Sequence, residues 1–375
     1  MRLLAFLLAA QIAPIHYSDV PPVIRSLVPA EPDFERYIAE VEGETKARVD
    51  DGEFEHLIYF ALQSRAFTAD AAIEPALNAR EYFTSNSVSE PVIRRFRGFL
   101  AALERPSTNE RMLYFQKLLP RTGRTVARLT AAYAKAMRFL NAKEILEQND
   151  AYESRGLSSD TSLASSFTVW QALGVLKATE PQLLLQRVLI IGPGSDFAPR
   201  TGLDDSAPPR SYQPYAIADA LLSHGLAREH RLTIDCADVN DRVLDSVAAG
   251  WPRFRREPGT EEFVEYQLGL SGPRNGVRIS PLKLNIVTQR ETRTKYDLIV
   301  ATNVLLYLPK PHLALALVNI REMLALGGYC IHNELRPETE TYSKGLGFQW
   351  LQTRRILVAQ GRKAPLYDTF SILRR

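Results

Sequence analysis

Two short segments in the second half of the chain contain residue types that can bind a nucleotide. Gly192 and Gly194 flank a proline directly after the apolar run 188–191. Glycine has no Cβ, so the backbone can turn sharply there and approach a ligand closely. Asp238, followed by Val239, comes after a second apolar run, and its carboxylate can accept hydrogen bonds from both hydroxyls of a ribose. The structural alternatives are a plain turn for the glycines and a helix N-cap at or near Asp238.

Amide and aromatic side chains lie within or after two later apolar runs. Asn303 and Tyr307 come after the run 296–301, so both are expected beside the same end of a sheet. An amide donates and accepts hydrogen bonds at once, while a tyrosine is an aromatic ring with one polar atom. Asn285, in the run 284–287, would lie near the base of a bound nucleotide. Each of the three can instead have a purely structural role, as a loop cap or a core residue.

A parallel sheet would bring these residues together. Short apolar runs alternate with helical patterns from residue 187 onward, which is typical of a parallel sheet with helices on both faces. Ligands bind such sheets beyond the carboxyl ends of the strands, where the strand order reverses. The predicted strands are 188–191, 232–237, 284–287, 296–301 and 329–332, then an antiparallel hairpin of 354–360 and 367–373 that turns near Gly361. The predicted helices are 214–224, 241–249 and 312–326, the last ended by Gly327 and Gly328.

The first half of the chain is predicted to be helical. Apolar residues recur there at three- and four-residue spacing after a proline-rich extended segment. We divide the chain into an apolar leader and extended segment (1–30), an α-helical domain (31–180) and a Rossmann-like α/β domain (181–375). The position of the helical domain suggests that it covers the ligand cleft and selects a substrate.

Composition restricts the class of protein. The chain has 375 residues, of which 45% are hydrophobic and 24% charged, as in an average soluble globular protein. The formal net charge of +3 gives no reason to expect a nucleic-acid partner. Two cysteines, Cys236 and Cys330, are too few for a zinc cluster and lie in apolar runs, so we expect buried, reduced thiols.

The N-terminus has two interpretations. Arg2 precedes the apolar run 3–10, as in a secretory signal, but no cleavage site is evident and the run is too short to span a bilayer. We expect a cytoplasmic protein whose first helix packs on its own domain. The alternatives are export, or a membrane contact made through residues 1–13.

In combination, these features resemble the class I S-adenosylmethionine-dependent methyltransferases. Within that superfamily the nearest resemblance, over Arg187 to Glu334, is to the chemotaxis-receptor (CheR-type) methyltransferases. The resemblance implies a Rossmann-like seven-stranded methyltransferase sheet with a C-terminal antiparallel hairpin, preceded by an all-α N-terminal domain. The segments that carry it are Gln213-Pro214-Tyr215, Asp238-Val239-Asn240, Thr302-Asn303-Val304-Leu305-Leu306-Tyr307-Leu308 and Leu326-Gly327-Gly328-Tyr329.

The resemblance also implies a cofactor and a reaction. The cofactor would be S-adenosyl-L-methionine, and the reaction would be methyl transfer to an unidentified acceptor. A carboxylate or thiolate acceptor needs no general base, whereas a hydroxyl or an amine can need one. The cofactor-binding residues would be Gly192, Gly194, Asp238, Val239, Asn285 and Asn303, and the candidate catalytic residues are Tyr307, Tyr215 and Glu334, with His332 nearby.

The sequence departs from the family pattern at four places. Ile190 stands where the superfamily commonly has an acid, and Thr302 stands where the CheR-type proteins have an arginine. Residues 195–197 lack the third small residue of the glycine motif, and an insertion follows at 198–211. The methionine carboxylate of the cofactor would then be bound by backbone amides, Arg200 or Arg155.

Two other functions fit part of the pattern. A methyltransferase-like domain without activity would serve as a binding or scaffold protein. A nicotinamide-dependent dehydrogenase shares the glycine turn and the acid, but its fingerprint requires a third glycine where Phe197 stands, and a terminal antiparallel hairpin disfavours it.

Overall fold

A computed structural model describes residues 10–145, 149–195, 210–250, 257, 259–272, 275–360 and 365–375. Residues 1–9 of the leader, Arg200 and Gly361 lie outside these ranges. Within them, no helix combines the length and the apolar character that a bilayer crossing requires. Cys236 and Cys330 are buried and form no disulfide, as predicted.

Helices make up most of the chain before residue 180. Their core contains closely packed aromatic rings, with the centroids of Phe60 and Phe115 4.9 Å apart. Proline at the first turns of α1, α2 and α3 suits these positions, because the missing N–H would have no partner within the helix. The helices are α1 (Glu31–Gln63), α2 (Pro75–Ser85), α3 (Glu90–Leu103), α4 (Glu110–Leu118), α5 (Val126–Ile145), α6 (Asn149–Glu153) and α7 (Leu163–Thr179).

The second half of the chain contains a seven-stranded, mostly parallel sheet. Its strands in spatial order are β4, β3, β2, β6, β7, β9 and β8, with β9 antiparallel to both of its neighbours. The strands are β2 (Arg187–Ile191), β3 (Thr233–Asp238), β4 (Arg278–Lys283), β6 (Tyr296–Ala301), β7 (Leu324–His332), β8 (Gln349–Gln360) and β9 (Pro365–Arg374). The helices that alternate with them are α8 (Gln213–Ser223), α9 (Asp241–Ala248), α10 (Glu261–Gly269), α11 (Lys310–Met323) and α12 (Pro337–Gly345).

The strand order reverses beside β2. From β2 the chain proceeds outward to β3 and β4, and then returns to β6 on the other side of β2. The carboxyl ends of β2, β3 and β6 lie at Ile191, Asp238 and Ala301. A ligand site is therefore expected beyond these three residues.

One predicted strand is wrong. We predicted a strand at 284–287, but the third strand is β4, Arg278–Lys283, and 284–287 follows its carboxyl end. The error arose because β4 is an edge strand with few buried positions and a proline, Pro281, which edge strands tolerate. The more apolar segment 284–287 packs in the core as a loop beside α11.

The boundary between the last parallel strand and its helix is also corrected. We predicted a helix to Leu326, ended by Gly327 and Gly328, but α11 ends at Met323 and β7 already begins at Leu324. Gly327 has a φ of +76°, and the strand pairing shifts register at this point, so the glycines lie at an irregularity within β7.

The segment before α1 is folded rather than extended. A short strand, β1 (Ile12–Pro14), pairs antiparallel with β5 (Gln289–Glu291). Two turns of 3-10 helix follow at Tyr17–Asp19 and Pro22–Leu27. Ile15, Val20 and Ile24 are buried in the same core as the sheet, so this segment joins α1 to the α/β part of the chain.

Candidate functional site

A cleft lies at the expected end of the sheet, and we call it the sheet-end cleft. The enclosed part of this cleft has a volume of about 100 Å³, and the volume that includes its open mouth is about 740 Å³. A broader cleft of about 780 Å³ adjoins it along α1 and shares Thr45, Val239 and Asn285 with it. The predicted residues that line the sheet-end cleft are Gly192, Asp238, Val239, Asn285, Asn303 and Tyr307.

Gly192 occupies the turn that follows β2. Its φ is +64°, a conformation that residues with a side chain rarely adopt, and its N–H donates to the carbonyl of Ala237 at 2.8 Å. A Cβ there would meet a methyl group of Val304 at 2.5 Å. The close approach of the β2 turn to the loop after β6 therefore requires glycine.

Gly194 has a different neighbour. Its φ is +62°, and a Cβ would overlap the hydroxyl of Thr161. Thr161 and Ser195 are bonded through their main chains, with Thr161 N donating to Ser195 O at 3.1 Å. The structure thus places Gly194 against the segment before α7 and outside the residues that line the cleft.

Asp238 ends β3 at the cleft wall. Its Oδ1 accepts from the N–H of Asn240 at 2.8 Å, and Asn240 Oδ1 accepts in turn from the N–H of Arg242 at 3.0 Å. Asn240 is therefore the N-cap of α9, which resolves the alternative that Asp238 fills this role. The Asp238 carboxylate is held by the loop, and Asp238 is one of the residues that line the cleft.

The surroundings of Asp238 disfavour its charge. Burial raises the pKa of this carboxyl to about 7, against the opposing effects of the hydrogen bond from Asn240 and the positive charge of Lys283. Lys283 is directed elsewhere, because its Nζ bonds the carbonyl of Val239 and the carboxylate of Asp241, each at 2.7 Å. A ligand that donates hydrogen bonds to Asp238 would favour the ionised form.

Asn285 and Asn303 border the cleft, but their amides are bonded within the protein. Asn285 Oδ1 accepts from the N–H of Val287 at 3.1 Å. Asn303 has a φ of +58°; its Nδ2 donates to Ser165 at 2.7 Å and its Oδ1 accepts from Asn333 at 2.7 Å. Both side chains thus hold loops at the cleft rim, and a ligand would meet their main chains or displace these bonds.

Tyr307 is the catalytic candidate that lines the cleft. Its hydroxyl accepts from Nη1 of Arg155 at 2.9 Å. Burial raises the pKa of Tyr307, and the charge of Arg155 partly offsets this. At neutral pH the hydroxyl is therefore protonated and can donate a hydrogen bond, which makes it unsuitable as a resting base.

The other candidates lie away from the lining residues. Tyr215 is buried in α8, and burial raises its pKa. Glu334 is 5% exposed and forms an ion pair with Arg336 at 3.2 Å. His332 is fully buried, and burial lowers its pKa to about 4, so it is neutral. None of these three side chains lines the cleft, because each belongs to the packing of the sheet and its helices.

We predicted that Arg155 could bind the methionine carboxylate of the cofactor, but Arg155 already binds a carboxylate of the protein. Its guanidinium is paired with the buried carboxylate of Glu55, with Nε at 2.9 Å from Oε2, and lies 4.0 Å from the centre of the Phe139 ring. It contacts the cleft indirectly, through Tyr307. Its charge is thus balanced within the protein.

Sequence reasoning missed the contribution of α1. Glu44, Thr45 and Arg48 line the sheet-end cleft from this helix. Arg48 donates to the carbonyls of Arg155, Tyr152 and Tyr307 at 3.0, 3.2 and 3.0 Å. Among the described residues Arg48 forms no ion pair. Burial lowers its pKa, against the opposing charges of Glu44, which lines the same cleft, Glu153 and Asp51.

The segment before α7 completes the wall opposite β3. Leu157 and Ser158 line the cleft, and the N–H of Leu157 donates to the carbonyl of Arg48 at 2.7 Å. On the far side of the cleft, burial lowers the pKa of His312, so this imidazole is neutral at pH 7. No group of acidic, histidine or cysteine side chains in the described ranges is arranged to hold a metal ion.

Comparisons with known proteins were made by sequence and by structure. No protein-family model matches the chain, and no curated protein matches it. The chain is similar to the N-methyltransferase NodS from Bradyrhizobium japonicum WM9 in complex with S-adenosyl-L-homocysteine, at 18% identity over 55% of this chain and 85% of NodS, with a TM-score of 0.33. It is also similar to magnesium protoporphyrin IX methyltransferase (ChlM) from Synechocystis PCC 6803 with bound SAM, at 9% identity over 72% of this chain and 99% of ChlM, with a TM-score of 0.35. The function is therefore argued from the residues and geometry of the cleft.

Proposed function

We propose that the protein is an S-adenosyl-L-methionine-dependent methyltransferase. The observation that carries this proposal is the position of Asp238, an acid at the end of the strand next to β2 that lines a cleft where the strand order reverses. A carboxylate there can accept from both hydroxyls of a ribose. The antiparallel β9, placed between β7 and β8, supports a methyltransferase over a nicotinamide dehydrogenase.

The residues of the cleft fit the three parts of this cofactor. Asp238 would hold the ribose. Leu284, Ile286 and Val287 offer an apolar wall to the adenine. Arg48 would hold the methionine carboxylate, since it is a cation that lines the cleft and forms no ion pair among the described residues. The cofactor, when bound, supplies a methyl group that is activated by a sulfonium charge.

Tyr307 and Arg155 would set the acceptor end of the site. The Tyr307 hydroxyl accepts from Arg155 and is also hydrogen-bonded with Ser158, so its hydrogen would have to turn to an acceptor in the cleft. Tyr307 would therefore orient the incoming nucleophile by a hydrogen bond and keep its own proton. Such a site favours an acceptor that arrives already deprotonated or that loses its proton to water.

Binding of S-adenosylhomocysteine tests this function. We expect it to bind the wild-type chain, measured by calorimetry, and Asp238→Asn to weaken binding roughly tenfold to a hundredfold, as expected for the loss of a charge-assisted hydrogen bond. The matched control is Asp245→Asn, an exposed acid on α9 outside the sheet-end cleft, which should bind as wild type.

Two results would point to the other functions. Absence of binding by millimolar S-adenosylhomocysteine would favour the scaffold, and enhanced NADH fluorescence that requires Asp238 would favour the dehydrogenase. Equal affinity in wild type and Asp238→Asn would show that the cofactor does not use this carboxylate.

A further inference from the structure

A second cleft lies along α5, on the far side of Arg155 from the sheet-end cleft, and we call it the α5 cleft. It holds about 700 Å³, within the range of about 300–1,000 Å³ common for small-molecule sites. Its lining comes from three helices of the N-terminal half and from the residues after α6. Its apolar lining residues are Phe54, Ala131, Ala132, Ala136, Phe139, Ala142 and Ala151.

The lining of the α5 cleft follows one face of α5. Arg128, Ala132, Lys135, Phe139 and Ala142 follow one another at three- and four-residue spacing on the lining face of α5. At 1.5 Å per residue, this face extends about 21 Å along the helix. The small alanine side chains leave room beside the helix, so the cleft fits an extended ligand better than a compact one.

The charges around the α5 cleft are predominantly positive. Among the described residues, four cations line it, Arg128, Lys135, Arg138 and Arg155, against two carboxylates. The carboxylates are already paired, Asp51 with Lys135 at 2.5 Å and Glu55 with Arg155.

Arg128 and Arg138 are thus left without a carboxylate in the described structure. Arg128 lies over the ring of Phe54, 4.5 Å from its centre, next to the apolar lining. An anionic group with an apolar body would match both the charge and the surface.

Arg155 connects the two clefts. One face of its guanidinium lies 4.0 Å from the centre of Phe139, in the lining of the α5 cleft. On its other side, Nη1 donates to the hydroxyl of Tyr307, which lines the sheet-end cleft. The two clefts share no lining residue, so a ligand in the α5 cleft that reaches Phe139 is separated from Tyr307 by the Arg155 guanidinium, and methyl transfer between the two sites requires this side chain to move aside.

We propose that the α5 cleft binds the methyl acceptor, and that the acceptor is an elongated molecule with an apolar body and an anionic group. This proposal rests on the function proposed above. In the transfer, an acceptor atom at the Tyr307 end forms a bond to the methyl carbon, the carbon–sulfur bond breaks, and its electron pair remains on sulfur as a neutral thioether. A hydroxyl or amine acceptor releases its proton to solvent, and a carboxylate acceptor releases none.

Three probes of the same shape test the charge preference. They are 6-phenylhexanoate, 6-phenylhexanamide and 6-phenylhexylammonium, titrated by calorimetry in the presence of saturating S-adenosylhomocysteine. We expect the anion to bind at least tenfold more tightly than the ammonium. The double variant Arg128→Gln/Arg138→Gln should reduce this preference to less than threefold. Arg97→Gln, on α3 and outside the cleft, is the matched control and should leave it unchanged.

A variant that fills the cleft tests the location. Ala131 lines the cleft and is exposed, so Ala131→Trp should block the cleft without disturbing the core. We expect it to lose 6-phenylhexanoate binding and retain wild-type affinity for S-adenosylhomocysteine. Equal affinity for anion and ammonium, or unchanged anion binding by Ala131→Trp, overturns the assignment of the α5 cleft.

Transfer of label tests the acceptor class itself. With S-[methyl-¹⁴C]adenosylmethionine and a small-molecule extract separated by charge, we expect label in the acidic fraction and at least tenfold less with Ala131→Trp. Three results would each overturn the proposal. They are label only in the basic or neutral fractions, label that Ala131→Trp does not reduce, and no label while S-adenosylhomocysteine binds. Failure of S-adenosylhomocysteine to bind at all instead refutes the underlying function.

Discussion

The proposed binding role of Asp238 has a cost in stability for the empty protein. Burial raises the pKa of this carboxyl to about 7, so the native protein keeps a proton there that the unfolded chain loses near pH 4. The native state therefore binds more protons than the unfolded state between about pH 4 and pH 7. By linkage, this group makes the empty protein less stable as pH rises through that interval, and it has no further effect above it.

The first prediction concerns pH. Because the ionised carboxylate is the better acceptor for ribose hydroxyls, the affinity for S-adenosylhomocysteine should rise by roughly threefold to tenfold per pH unit from pH 5.5 to about 7 and then level off. Calorimetry across this range measures the slope. Asp238→Asn should show no slope, and its free energy of unfolding relative to the wild type should increase over the same interval. A wild-type affinity that is flat with pH contradicts the assigned role.

The second prediction separates the two ends of the cofactor. Arg48→Met should weaken S-adenosylhomocysteine binding roughly tenfold to a hundredfold, since a charge-assisted bond to the carboxylate is lost. Adenosine, which has no carboxylate, should bind wild type and Arg48→Met within about threefold of each other. Calorimetry with both ligands gives the comparison. A parallel loss for both ligands would instead show that Arg48 only supports the cleft through its carbonyl contacts.

Sequence and structure agree on those residues whose position is determined by the neighbouring sequence. Gly192 and Asp238 each follow an apolar strand, and the end of a parallel strand fixes where such a residue lies. Arg48 was not foreseen, because its neighbours in α1 only indicate a helix, and its place at the cleft depends on how that helix packs on the sheet. The internal bonds of Asn303 were missed for the same reason, since Ser165 and Asn333 come from distant elements.

At the scale of elements, the turn after β2 is fixed by what packs on it. The segment 157–161 runs between α1 and this turn: Leu157 N bonds the carbonyl of Arg48, and Ser195 N bonds the carbonyl of Ser159 at 2.6 Å. Gly194 lies beneath this segment. Glycine is therefore required at position 194 by contact with the protein itself.

The third prediction concerns this contact. Gly194→Ala should lower the free energy of unfolding by roughly 2–4 kcal/mol, because the new methyl group overlaps the Thr161 hydroxyl and the φ of +62° strains any side chain. Denaturant unfolding measures the loss. Gly269→Ala in α10 is the control, since no heavy atom lies within 4 Å of its added Cβ, and it should not destabilise. Equal effects of the two substitutions would contradict the close packing.

Most parallel strands were predictable, and two element boundaries were not. Continuous apolar runs bounded by glycine or acid mark buried strands such as β2 and β6. The edge strand β4 has no such run, since polar residues and Pro281 interrupt its apolar positions and none of its residues is buried. At the junction of α11 and β7 both elements are apolar, so hydrophobic periodicity cannot locate the change at Leu324.

At the scale of the whole molecule, α1 joins the two halves of the chain. Glu53, in the middle of this helix, is fully buried and accepts hydrogen bonds from Tyr114, Ser159 and Asn240. Asn240 also caps α9, next to Asp238. The helical part is thus connected through buried polar contacts to the loop that holds the proposed ribose ligand.

The fourth prediction follows from the position of α1 and the segment 157–161 at the sheet-end cleft. Both contribute lining residues, so we expect both to close on a bound S-adenosylhomocysteine. Hydrogen exchange should slow in residues 44–48 and 157–161 at saturating S-adenosylhomocysteine, by at least tenfold. Exchange in α3, far from the cleft, should not change. Unchanged exchange in both segments would contradict this movement.

The position of α1 has a consequence for dissecting the molecule. A fragment cut at residue 180 would keep the sheet but lose Thr45 and Arg48, and its remaining cleft would be an open trough. If the 33-residue α1 were supplied on a separate polypeptide with the rest of the helical part, the ligand would bridge the two pieces. Reassembly of two such fragments should then depend on the concentration of ligand, so the chain could be split into a reporter for the proposed nucleoside ligand.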